Sequence, residues 1–159
     1  MVFALRMMFR VLLILCFLSV SLSRGVPVIS EFMASNTSGL QDQDGDFSDW
    51  VEIHNPDAGP VNLDGWFLTD NAALPAKWRF PSTVIPSGGY LVVFASNKNR
   101  SVSGQQLHTN FALSAGGEFL GLVAADGTTV VSSYSPQFPA QSSDVSYGIP
   151  SNVTSSTLV

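Results

Sequence analysis

Cysteine is nearly missing from this chain of 159 residues: the one example, Cys16, sits inside an apolar run near the N-terminus. No disulfide can form within the chain, so any stable domain must rest on its hydrophobic core. Cations are almost as scarce. Beyond residue 25 only Lys77, Arg79, Lys98 and Arg100 face twelve acids, a net charge of −8 against −5 for the whole chain. Four scattered cations cannot track a phosphate backbone, and nucleic-acid binding is not expected. There are two histidines, His54 and His108, and neither G-x-S-x-G nor H-E-x-x-H occurs. Without a nucleophile elbow or a ligand cluster, hydrolase chemistry has no foothold, and the chain is not expected to be an enzyme. No window shows helical periodicity, and no internal repeat is visible.

What is present begins with a leader. Arg6 and Arg10 precede "VLLILCFLSVSL" at 11–22, with Ser21, Ser23 and Gly25 as small residues near a cleavage point. The run is about a dozen residues, short of the roughly 20 that span a bilayer. Residues 1–25 therefore read as a cleaved signal peptide, and the product as secreted or on the cell surface, with no membrane span after cleavage.

Short runs rich in Val, Ile, Phe, Trp and Tyr follow, separated by "DGD", "NPDAGP", "LDG", "IPSGG", "SAGGE" and "ADG". Turn signals about every eight to twelve residues predict an all-β sandwich or barrel. Alternation in "WVEIHN" (50–55) turns Val51 and Ile53 inward and leaves Trp50, Glu52 and His54 outside. "GYLVVFAS" (89–96) is apolar on both faces, as in a central strand. The expected core comprises Val51, Ile53, Trp66, Leu68, Phe80, Leu91, Val93, Phe111, Phe119 and Leu122. The domain is placed at 26–149, with 150–159 as a polar tail or a shortened linker.

"SDWVEIHN", "VNLDGWFLTD", "KWRFPSTVIPSGGYLVVFAS" and "LHTNFALSAGGEFLGLVAADGTTV", in that order, closely resemble the lamin tail domain, especially its bacterial secreted branch. The likeness runs from about Val28 to Tyr147. It implies an immunoglobulin-like β-sandwich without catalytic activity that contacts an unknown protein or surface polymer, in a setting where such domains accompany hydrolases or binding modules on larger proteins. In the motifs themselves, "LDGW" is a turn at Gly65, and "LSAGGE" reads as a hairpin connection.

The sharpest site candidate is "DQDGDFSD" at 42–49. Asp42, Asp44 and Asp46 alternate around Gly45 as in a calcium loop, and Asp49 could complete an irregular set. Phe47 replaces the glycine and Ile53 the bidentate Glu of an EF-hand, so calcium is the candidate cofactor without that motif; a solvated acidic turn is the plainer reading. Trp50, Trp66 and Trp78 offer an alternative function, a carbohydrate-binding module stacking sugars on exposed rings. The sequons at Asn36, Asn99 and Asn152 would mark surface loops in a eukaryotic secretory protein.

Overall fold

A computed structural model describes residues 26–149. Eleven strands form among them, and no helix. The strands are β1 (Val28–Met33), β2 (Asp49–His54), β3 (Val61–Asn62), β4 (Phe67–Thr69), β5 (Trp78–Arg79), β6 (Val84–Ile85), β7 (Tyr90–Ala95), β8 (Leu107–His108), β9 (Leu120–Val123), β10 (Val130–Tyr134) and β11 (Tyr147–Gly148). They build a five-stranded sheet in the order β11-β1-β2-β7-β8, a four-stranded sheet β10-β9-β4-β5, and a small β3-β6 ribbon. All pairings are antiparallel except β7 with β8.

The core lies between the two larger sheets. From the first come Ile29, Phe32, Val51, Ile53 and Val93, and from the second Leu68, Leu120 and Leu122, all fully buried. Each such side chain contributes about 1.5–3 kcal/mol by leaving water. Phe80, Phe111 and Phe138 belong to the same buried cluster. Of the expected core, Trp66 and Leu91 are partly buried against it, and Phe119 is half-buried. The face assignment in β2 holds: Val51 and Ile53 point in, while Trp50, Glu52 and His54 stay partly accessible. β7 lies inside the sheet, between β2 and β8.

One loop expectation needs correction. "LSAGGE" is not a hairpin, because β8 belongs to one sheet and β9 to the other. It carries the chain across the sandwich, and Gly117 takes φ 97° there, where a β-carbon would collide with the Phe138 carbonyl oxygen. Near the end of the domain Tyr147 and Gly148 form β11 and pair with β1. Asp144 ties that segment down: its carboxylate accepts the amides and hydroxyls of Thr37 and Ser38 at 2.6–2.9 Å.

The signal-peptide assignment and the 150–159 tail lie outside the described residues. Among the described residues no helix is long and apolar enough to cross a membrane.

Candidate functional site: an acidic loop closed by a lysine

The loop before β2 is organised by one side chain. Asp42 is buried, and its Oδ1 accepts the amides of Asp44 at 2.9 Å and Asp46 at 3.2 Å. Its Oδ2 accepts the Ser48 hydroxyl at 2.8 Å. Short Asp side chains fold back on the backbone two residues on, which is why this D-x-D-G-D run makes a tight turn. Gly45 sits at its apex with φ 83°. Asp44 and Asp46 are thereby aimed to the same side as Asp42, so that one carboxylate oxygen from each lies within 4.8 Å of the others.

A cation stands at that point, and it belongs to the chain. Lys98 Nζ lies 2.6 Å from Asp42, 2.7 Å from Asp44 and 2.8 Å from Asp46. Arg100 Nη1 adds a 2.7 Å contact to Asp44. Both cations come from the segment after β7. Arg100 exchanges backbone hydrogen bonds with His108, and the Asn99 amide donates to Thr109. Asn97 and Asn99 both take positive φ, 61° and 51°, on either side of Lys98. Asn tolerates the left-handed region better than most residues, and this pair of turns directs the lysine at the acids. Burial works to raise the Asp42 pKa, but Lys98, Ser48 and the two amides outweigh it and hold it well below the usual carboxylate range. Lys98 is the mirror case: burial works to lower it, and the three carboxylates hold it firmly charged.

Asp49, the fourth residue of the expected calcium set, is not in this group. It starts β2, where its Oδ1 accepts the Asn36 amide at 3.2 Å, and burial raises its pKa. Asn36 is itself buried and donates to the carbonyls of Leu40 and Ser48. That sequon is thus part of the loop's framework, whereas Asn99 is exposed and Asn152 lies outside the described residues.

His108 lies beneath the cluster, fully buried and stacked on Phe94. Its Nδ1 shares a 2.9 Å hydrogen bond with Ser96 Oγ and is 4.0 Å from Asp42, while Nε2 has no partner. Burial pushes its pKa down; the Asp42 charge opposes this, and Lys98 and Arg100 reinforce it. His54 is on the opposite strand end, stacked on Tyr90 at 4.4 Å. The two histidines therefore serve different places and form no pair.

None of the three tryptophans stands fully exposed. Trp78 is 2 % exposed, Trp66 packs against the core, and the indole nitrogen of Trp50 is buried. A recess of about 320 Å³ lined by Ala73, Leu74, Pro75, Ala76 and Lys77 contains one titratable group, and Lys77 is already bonded to Asp70 at 2.6 Å.

Lys98 is what sequence reading missed; it looked like one isolated surface cation. Two weak signals mark it: Asn on both sides in "SNKNR", and its place just after the central strand. The buried clasp Asn55, whose amide donates to the carbonyls of Gly59, Ile85 and Pro86, carries no mark in the sequence beyond its place at the end of a strand.

No curated protein and no solved structure gives a significant match to this chain. The family model of the lamin tail domain matches residues 21–137. The ordered motifs, the immunoglobulin-like sandwich and this match agree, and the chain belongs to the lamin tail domain family.

Proposed function

We propose that this chain is a secreted, non-catalytic interaction module of the lamin tail type, which acts by holding a protein or surface polymer against its sheet faces. The observation that carries the reading is the internal closure of its reactive groups. The three clustered aspartates are bound by Lys98 and Arg100, and His108 is buried between Phe94 and Ser96. A catalytic carboxylate or imidazole has to reach a substrate proton within hydrogen-bond distance. These side chains instead reach one another. In this reading the acidic loop is a structural lock, with a lysine ammonium in the place the sequence offers to calcium. The leader-like residues 1–25 support secretion.

The test has two arms. The chain expressed with its own N-terminus should be recovered from the medium beginning near residues 24–26. It should also turn over no ester, phosphoester, glycoside or peptide substrate above buffer, with or without divalent metals. Retention in the cell would remove the secreted part of the reading. Turnover that disappears in Asp44→Asn/Asp46→Asn would replace the module with an enzyme.

A further inference from the structure

The outward face of the five-stranded sheet is closed at one end and open at the other. Register places Val28, His54 and Tyr90 in one row, Glu31, Glu52 and Val92 in the next, and Met33, Trp50 and Phe94 in the third. Met33 and Phe94 are buried, with His108 stacked on Phe94. At the other end Tyr90 is 59 % exposed, its ring stacked on His54 with planes 15° apart.

The middle row sets two acids on neighbouring strands. Glu31 and Glu52 are cross-strand partners, half-buried and of like charge. Like charges directly opposite one another destabilise a sheet. The Ser30 hydroxyl donates to Glu52 Oε1 at 2.7 Å and orients it, but neither carboxylate has an ion pair among the described residues. The four described lysines and arginines each lie nearest to an acid elsewhere in the fold. Lys77 is held by Asp70, Arg79 by Asp64, and Lys98 and Arg100 by the acidic loop. A cation from outside the described residues would compensate the Glu31–Glu52 pair.

We infer that this half of the sheet binds an arginine-bearing extended segment of another protein. A guanidinium laid on the open face of Tyr90 gains a cation–π contact, and its planar fork can be shared with the Glu52 and Glu31 carboxylates. Same-face positions two residues apart on a strand are separated by about 7 Å, within reach of an arginine lying along the sheet. Lysine offers the charge without the fork or the stacking plane. The inference rests on the interaction-module reading and names the partner chemistry for it.

The experiment is a titration of the ¹⁵N-labelled chain with a short peptide alternating arginine and threonine, beside lysine and citrulline versions. Amide shifts should concentrate at 28–31, 52–54 and 90–92, with arginine ahead of lysine and citrulline silent. Glu31→Gln/Glu52→Gln should weaken binding by about tenfold, the scale of a lost charge-assisted pair. Tyr90→Ala should weaken it too, and Asp64→Asn, on the other sheet, should leave it unchanged. The double Gln variant removes a repulsion, so its melting temperature should not fall, and lost binding cannot be blamed on unfolding. Equal weakening by Asp64→Asn, shifts spread over all the acids, or no binding at millimolar peptide would overturn the inference. Failure here with no substrate turnover leaves the module reading standing; turnover removes that reading whatever the peptide does.

Discussion

At the residue scale, the buried imidazole of His108 makes stability depend on pH. Its folded-state pKa lies below the ordinary 6.5, chiefly because burial disfavours the charged form. Folding therefore prefers the neutral ring, and this contribution is complete above about pH 6.5 and lost as the pH falls through 6.5 toward the folded value. Asp49 and Glu118 act the other way, because burial raises their pKa values and protonation relieves them. Comparing variants separates the two effects. The urea midpoint of the wild type should fall between pH 7.5 and 5.5 relative to that of His108→Gln, which keeps a hydrogen-bonding partner for Ser96 but cannot titrate. Parallel pH profiles would mean that His108 carries no such linkage. Gly117 is a second single-residue test. At φ 97°, with the Phe138 carbonyl oxygen where a β-carbon would stand, Gly117→Ala should cost several kcal/mol in chemical denaturation, more than a simple backbone-entropy change would allow.

The strands show how much of the fold the sequence carries. β2 is legible because a period of two sorts buried from exposed side chains, and Val51 and Ile53 fall where that period puts them; β7 is legible instead as a continuous apolar run, which fits its place inside the sheet. Truncating Phe32 or Leu68, both fully buried, to Ala should lower stability by about 3–5 kcal/mol, read from denaturant midpoints. β9 was legible as a strand but not as a sheet change. Phe111 and Leu113 look like one edge of a hairpin, yet only an isolated bridge, Ser96 to Ala112, forms there. Periodicity reports which side is buried; it does not report which sheet buries it. The acidic loop divides the same way. Convergence of Asp42, Asp44 and Asp46 follows from local turn chemistry and is readable. The lysine that closes the loop is 52 to 56 residues away along the chain, and only the fold brings it in.

On the scale of the whole molecule, the balance of charge unifies the account. All four cations beyond residue 25 are engaged with acids, and Lys98 alone holds three. It joins the loop before β2 to the segment after β7, across the end of the five-stranded sheet. Removing it leaves Asp42 charged and buried, which costs about 3 kcal/mol for a buried pair broken on one side. For a domain of this size that is on the order of 10 °C in melting temperature. With the ammonium gone, the same three carboxylates face an empty centre, and calcium, which accepts oxygens at about 2.3–2.6 Å, can take it. The decisive measurement is a set of thermal melts of wild type and Lys98→Met, each in chelator and in millimolar calcium. The two wild-type melts should coincide, Lys98→Met should melt about 10 °C lower in chelator, and calcium should restore much of the loss. A wild type that melts several degrees higher with calcium, or a Lys98→Met variant as stable as the wild type in chelator, would contradict this role of Lys98.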